Sequence, residues 1–318
     1  MNLVMLDAAR VRELLPMSEC IDAMSVAMTA ASTGRITVPL RTVVPLADEA
    51  GLFFVMPGSS SEPLVYGAKL ISLHPSNPAQ GRPAIQGFVA LFDHATGAPV
   101  ALLDGAEITA LRTAAASGLA TRELARSDAS TLGILGCGVQ ADSHLAAVCA
   151  VRPIREVRVW ARSPAKARAF AVRRAQPGGP AIIAVESADE AAGCDVVCAV
   201  TGSPSPVVRS AVVRPGAHVN LVGAHTATTR EADSALIARS RVYVDLRDSA
   251  RIEAGDLLIP LGEGAIEPDH VVGELGELLL GRIGGRRDDT EVTVYKSLGI
   301  VAQDLVAAHH AYERHLAR

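Results

Sequence analysis

Leu132-Gly133-Ile134-Leu135-Gly136-Cys137-Gly138-Val139-Gln140-Ala141 is an apolar strand that runs straight into Gly136-x-Gly138-x-x-Ala141, and an apolar-patterned helix follows. Gly136 permits the tight turn, and Gly138 lets backbone N–H groups approach a pyrophosphate. Ala141 keeps the helix close to the strand, where the helix dipole favours phosphate charge; Val139 and Gln140 complete the loop. Glycine triplets in loops are common, so the motif gains its weight from its place at the first of a series of strand–helix units. The strands read Leu132–Leu135, Val157–Trp160, Ile182–Val185, Val196–Val200, Val219–Val222 and Val242–Val244. Helical patterns separate them, one opened by the capping-box sequence Ser187-Ala188-Asp189-Glu190. Short apolar strands alternating with helices mean a parallel sheet covered on both faces. This part of the chain is therefore expected to be a doubly wound α/β domain that binds a dinucleotide.

The end of the second strand bears on which dinucleotide. NAD-specific sites place an acidic residue there, about 20 residues beyond the glycines. This strand ends Val159-Trp160-Ala161-Arg162-Ser163. Arg162 can pair with a 2′-phosphate and Ser163 can hydrogen-bond to it, so NADPH/NADP is expected, with NADH admitted as well. Thr201, directly after the fourth strand, is a candidate for lining the nicotinamide ribose.

Upstream, the pattern is mixed. Helical stretches cover 7–15 and 18–32, the second ended by Gly34. Strands follow at Ile36–Val44, Leu52–Met56, Val65–Ser72, Ile85–Phe92 and Val100–Leu103, and the turn Asp93-His94-Ala95-Thr96-Gly97 joins the last two as an antiparallel meander. A long Ala-rich helix, Ala106–Arg126, leads into the dinucleotide domain. A strand at Val292–Tyr295 and a terminal helix at Ile300–His315 come last, and that helix is expected to fold back onto the N-terminal part. The division expected is residues 1–125 with 297–318 against 126–296.

The chain has 318 residues, 49% apolar and 20% charged, enough to bury a substantial core. Aromatics at 3% argue against base-stacking platforms, and a net charge of -4 gives no attraction for a polyanion, so no nucleic-acid partner is expected and the substrate should be small. The N-terminus lacks a signal-peptide pattern and no apolar run approaches a membrane span, which makes a cytoplasmic protein without a membrane partner the expectation. The five cysteines are odd in number and scattered, and Cys194 with Cys198 has no nearby partner set to complete a zinc site. Neither disulfides nor a metal is expected.

Three cations stand in surroundings that do not explain them. Lys69 lies in the otherwise uncharged strand Val65-Tyr66-Gly67-Ala68-Lys69-Leu70-Ile71, on the face of Val65, Gly67 and Ile71. Arg112 lies in the middle of a helix whose residues at i±3 and i±4 are Ile108, Thr109, Ala115 and Ala116, with no carboxylate among them. Arg41 lies in Val38-Pro39-Leu40-Arg41-Thr42-Val43-Val44. A desolvated cation is costly unless an anion meets it. Either the three converge on a substrate carboxylate, or each carries its charge separately to solvent.

Five segments together resemble the ornithine cyclodeaminase/mu-crystallin family: Tyr66-Gly67-Ala68-Lys69 with His74-Pro75-Ser76-Asn77-Pro78, Leu111-Arg112-Thr113-Ala114-Ala115, Gly136 to Ala141, Val244-Asp245 with Glu253-Ala254-Gly255-Asp256-Leu257, and Tyr295-Lys296-Ser297-Leu298-Gly299. The resemblance implies a homodimer whose N-terminal α+β domain supplies the dimer sheet and the substrate site, and a Rossmann domain that delivers the nicotinamide. It further implies that Arg41, Lys69 and Arg112 bind the substrate carboxylate, and that Thr113 and Gln140 belong with the cofactor.

Two departures bear on the substrate. Family members acting on ornithine carry an acidic residue just before the Met-Pro of the second strand; here Phe54 stands in Phe53-Phe54-Val55-Met56-Pro57. They also carry an Asp after the fifth Rossmann strand, where this chain reads Val222-Gly223-Ala224-His225. Without the two acidic groups, a diamino acid is disfavoured. Reduction of a cyclic ketimine carboxylate, Δ1-pyrroline-2-carboxylate or Δ1-piperideine-2-carboxylate, is the expected activity, giving L-proline or L-pipecolate. His225 at a strand's carboxyl end is a candidate proton donor and Lys69 a second. The competing readings are an alanine-type amino-acid dehydrogenase, an ornithine cyclodeaminase and a non-catalytic NADP-binding protein.

Overall fold

The computed structural model describes residues 3–318, which divide into two compact units. One comprises residues up to Thr113 with Gly299–Arg318, and the other Ala114–Leu298. The first unit begins with β1 (Val4–Leu6), α1 (Ala8–Leu14) and α2 (Met17–Ser32). It continues through β2 (Ile36–Thr37), β3 (Thr42–Pro45), β4 (Leu52–Ser61), β5 (Leu64–Leu73), β6 (Ile85–Phe92) and β7 (Pro99–Asp104). Asp7 caps α1 by accepting the Arg10 amide at 2.8 Å. β4 to β7 form an antiparallel meander. At its last turn the Asp93 carboxylate accepts the Thr96 amide at 2.8 Å, and Gly97 takes φ +74°. The sheet order is β1-β7-β6-β5-β4-β2, with β3 also on β4 and β1 parallel to β7.

Two strand expectations are corrected, and one strand was not expected. Ile36–Val44 is two strands, because residues 38–41 leave the ladder around Pro39, which has no amide to donate. β4 runs beyond Met56, through Pro57 to Ser61. β3 stops opposite Val55 and β2 pairs from Ser59, so on that side the missing amide of Pro57 breaks no ladder bond. β1 was not anticipated at all; three residues are too few to carry a period.

α3 (Gly105–Leu124) begins in the first unit and continues into the second. There follow β8 (Thr131–Leu135), α4 (Val139–Val151), β9 (Glu156–Trp160), α5 (Pro164–Arg174), β10 (Ala181–Ala184), α6 (Ala188–Ala192), β11 (Val196–Ala199) and β12 (His218–Leu221). Next come α7 (Ser234–Arg239), β13 (Arg241–Val244), α8 (Arg247–Glu253), α9 (Gly255–Gly262), β14 (Val271–Glu274), α10 (Leu275–Leu279) and β15 (Thr293–Lys296). The eight strands are all parallel, in the order β10-β9-β8-β11-β12-β15-β13-β14. Two apolar cores cover its faces, one around Leu236, Val219 and Val244, the other around Ile134, Val157 and Phe170. This is the doubly wound arrangement, and the order reverses between β8 and β11. β14 escaped the sequence reading because Val271-Val272-Gly273-Glu274 offers only two apolar residues.

α11 (Val301–Leu316) returns to the first unit, packing on α2 and across β4, β5 and β6. Two glycines paired across β4 and β5 let it approach. A Cβ on Gly58 would stand 2.8 Å from Val301 Cγ1, and one on Gly67 3.3 Å from Leu305 Cδ2. The helix thus sits directly on the sheet face that carries Lys69.

Candidate active site

In β5 the alternation holds: Val65, Gly67, Lys69 and Ile71 are all buried on one face. Met56 is paired directly with Lys69 and Phe54 with Ile71, so Phe54 lies on the same face, buried and apolar. α11 lays Gln303 and Asp304 over this face. Lys69 Nζ is 2.8 Å from Asp304 Oδ2, and Arg112 Nε is 2.9 Å from Asp304 Oδ1. Arg112 Nη1 also donates to Gln303 Oε1 at 2.7 Å. The side chains of Lys69, Arg112 and Asp304 are 1%, 6% and 0% exposed, so none of them carries its charge to solvent.

The premise that Lys69 and Arg112 lack an anion is therefore corrected. Their carboxylate is Asp304 on α11, distant in sequence from both. One carboxylate shared by two cations still leaves a positive excess. Burial brings the Lys69 ammonium down to about 7, against the raising pull of Asp304 and with further lowering by Arg112 and Arg41.

Gly299 brings Arg41 to the same group. Its carbonyl accepts from Arg41 Nη2 at 2.8 Å, and a Cβ there would stand 2.3 Å from Arg112 Nη1. Its φ of +77° also suits glycine. The three cations of the first unit thus gather around Gly299 and Asp304. Thr113 is buried beside Arg112 in α3.

In the second unit Gly136 takes φ +118°, and a Cβ there would meet Val200 O at 2.7 Å. Gly138 is the N-cap of α4, makes no side-chain cap bond, and has no atom within 4 Å of where its Cβ would be. The first turn of α4 therefore presents backbone N–H groups beside open space, which fits a pyrophosphate. Ala141 is fully buried, while Val139 is exposed and Gln140 half-buried. Arg162 is exposed and makes no polar contact among the described residues; Ser163 caps α5 without a side-chain bond. Both are available to a ligand at the end of β9. His225 is exposed on the loop after β12, its Nδ1 3.1 Å from Gly223 O.

A buried network at the carboxyl ends of β11, β12 and β15 was missed. Thr201 donates to Glu231 Oε1 from its amide at 2.8 Å and its hydroxyl at 2.6 Å. Glu231 Oε2 accepts the Gly223 amide at 2.5 Å and the Ala224 amide at 3.4 Å. Asp256 Oδ1 takes the amides of Glu231 and Ala232 at 2.7 and 3.0 Å, and its Oδ2 lies 2.9 Å from Lys296 Nζ. Lys296 donates in turn to the Ala224 carbonyl. Burial pushes the Glu231 carboxyl up, while Lys296 and Thr201 pull it back. The sequence signal was a lysine and an aspartate standing in the apolar contexts Val294-Tyr295-Lys296 and Gly255-Asp256-Leu257.

The model of the ornithine cyclodeaminase/mu-crystallin family matches residues 1–318. A Δ1-pyrroline-2-carboxylate reductase of Bacillus cereus is 35% identical over 318 residues, covering 99% of this chain and 98% of that protein. The solved structure of Thermococcus litoralis Δ1-pyrroline-2-carboxylate reductase with NADH and L-proline superposes with a TM-score of 0.95 at 37% identity, covering 99% of this chain and 98% of that one. An archaeal alanine dehydrogenase dimer with bound NAD gives a TM-score of 0.93 at 30% identity, covering 100% of this chain and 97% of that one. With its whole length matched and its motifs in place, the chain belongs to the ornithine cyclodeaminase/mu-crystallin family.

Proposed function

We propose that this protein is an NAD(P)H-dependent oxidoreductase that reduces a cyclic ketimine carboxylate, Δ1-pyrroline-2-carboxylate or Δ1-piperideine-2-carboxylate, to L-proline or L-pipecolate. The observation that carries the reading is that two buried cations, Lys69 and Arg112, share one carboxylate. The excess charge suits a small anion, and Arg41 adds a third donor. Phe54 offers an apolar wall on the same face and no carboxylate for a distal ammonium. That favours a ring over a diamino acid.

In this reading Arg41, Lys69 and Arg112 hold the substrate carboxylate and fix the ring. When bound, the reduced nicotinamide supplies hydride to the imine carbon. An iminium is the better acceptor, so the imine nitrogen takes a proton. Lys69, with its ammonium near neutrality, is the favoured donor. His225, exposed on the loop after β12, is the other candidate. A homodimer in the cytoplasm belongs to the same reading. The free cysteines suit a reducing compartment, and no described helix is long and apolar enough to cross a membrane.

NADPH oxidation followed at 340 nm tests the activity. Turnover is expected with the five- and six-membered ketimines and without added ammonia. The similarity to an alanine dehydrogenase supports a second reading. Turnover confined to pyruvate plus ammonia would establish that one instead.

We also propose NADPH as the preferred cofactor, on the strength of Arg162 and Ser163. Arg162→Ala is expected to raise the Kd for NADPH by about tenfold or more, the loss of a charge-assisted bond, and to leave NADH binding unchanged. Equal effects on the two would remove the basis for that preference.

A further inference from the structure

Glu231 answers to no step of the reaction proposed above, yet it is fully buried and each of its oxygens is spent on a different strand end. Oε1 holds Thr201, in the loop that leaves β11, and Oε2 holds the amides of Gly223 and Ala224, in the loop that leaves β12. The carboxylate therefore bridges two neighbouring strands at their carboxyl ends, where an open α/β sheet binds its ligands. These strands lie on one side of the reversal point between β8 and β11. The phosphate loop follows β8, and Arg162 follows β9 on the other side. A dinucleotide crossing the reversal with its adenylate half over β9 has its nicotinamide half over β11 and β12.

The surroundings leave the bridge little freedom. The amides of Glu231 and Ala232 are held by Asp256, Asp256 by Lys296, and Lys296 by the carbonyl of Ala224. That closes a ring through the 224–231 loop. Two glycines allow the ring to close. A Cβ on Gly223 would meet Thr201 O at 1.9 Å, and one on Gly255 would meet Thr229 O at 2.1 Å. Ordinary solvation explains none of this, since Glu231, Asp256 and Lys296 are all fully buried.

We infer that Glu231 is a positioning residue for the nicotinamide half of the cofactor, acting through Thr201 and the Gly223-Ala224 turn, with Asp256 and Lys296 holding it in place. The inference rests on the dinucleotide reading of the second unit. In Glu231→Gln an amide NH2 replaces one acceptor, so one of the two strand ends loses its partner. In Thr201→Val the hydroxyl that donates to Glu231 and accepts the Ser203 amide at 3.1 Å is lost, with little change of shape.

Wild type and both variants are titrated calorimetrically with NADPH and with its nicotinamide-free fragment 2′-phospho-ADP-ribose. NADH and ADP-ribose are run in parallel, so the outcome does not depend on which cofactor is preferred. The fluorescence of bound reduced nicotinamide is read as well. The whole cofactor is expected to bind about tenfold more weakly to Glu231→Gln and measurably more weakly to Thr201→Val. The fragments should bind as to wild type, and the fluorescence enhancement should fall. Undiminished binding of the whole cofactor by both variants would overturn the inference. So would equal losses for cofactor and fragment, because Glu231 would then support the unit as a whole. A wild-type protein that binds none of the four ligands would instead refute the dinucleotide reading, and the inference with it.

Discussion

An Asp304→Asn enzyme is expected to lose tenfold or more in kcat/KM near neutral pH, roughly the effect of losing one charge-assisted interaction, with the alkaline limb of its pH profile moved toward acid. On the proposed mechanism Lys69 works as the ammonium, so activity falls as pH rises through its pKa of about 7. Asp304 is the largest influence raising that value, while burial, Arg112 and Arg41 lower it. Without the carboxylate only the lowering influences act, and the ammonium is lost at lower pH. Arg112→Met should move the limb the other way, because it removes a neighbouring cation, while its KM for the carboxylate substrate rises. A structural role for Asp304 would weaken the fold but would not shift the two limbs in opposite senses. Breaking a buried pair costs about 3–5 kcal/mol of stability, so the profiles are to be read well below each variant's Tm. Identical limbs in both variants and wild type would remove Lys69 as the proton donor.

Acid is expected to unfold the second unit through two histidines. His144 is fully buried, with Nε2 2.9 Å from Ser117 Oγ and Nδ1 2.8 Å from Gln140 O. Burial brings its pKa down to about 4. His218 is fully buried between Thr293 and Asn220; burial and the nearby Arg286 bring it down to about 3. Both native values lie below the unfolded value of about 6.5, so below that pH the unfolded chain binds more protons. Stability is then fully present above pH 6.5 and falls as pH drops, by roughly 1.4 kcal/mol per unit for each histidine. Between pH 6.5 and 5 most carboxylates stay ionised, and Glu231, whose carboxyl is pushed up, acts in the opposite sense there. The urea midpoint should fall steeply across this window in wild type and much less in a His144→Gln, His218→Gln double variant. A flat wild-type dependence would contradict the assignment.

What was legible in the sequence followed short-range rules. The strand–glycine–helix motif, the period-2 face of β5 and the capping box at Ser187, confirmed by the Glu190 amide donating to its hydroxyl at 3.3 Å, all depend on neighbours within one or two turns. The carboxylate of the site depended on none of these. Asp304 sits 192 positions from Arg112, in Val301-Ala302-Gln303-Asp304-Leu305-Val306, and meets it only because Gly58 and Gly67 let α11 down onto the sheet. An acid and an amide inside an apolar helix face were the available signal, the mirror of the one that exposed Lys69 and Arg112. Glu231 gave less. In Thr229-Arg230-Glu231-Ala232-Asp233 it reads as one charge in a solvated loop, and only the closure of that loop on Asp256 and Lys296 buries it. Lys69 and Arg112 look isolated only within their own elements, since the carboxylate that meets them stands on α11.

The central claim, that buried cations of the first unit hold a substrate carboxylate, is tested most directly by calorimetric binding of L-proline and L-prolinamide to the protein saturated with oxidised cofactor. The two ligands share ring and amine and differ in the anionic group. L-proline is expected to bind and L-prolinamide to bind at least about tenfold more weakly, with the difference narrowed in Arg112→Met. Equal affinity for acid and amide in the wild-type protein would contradict it.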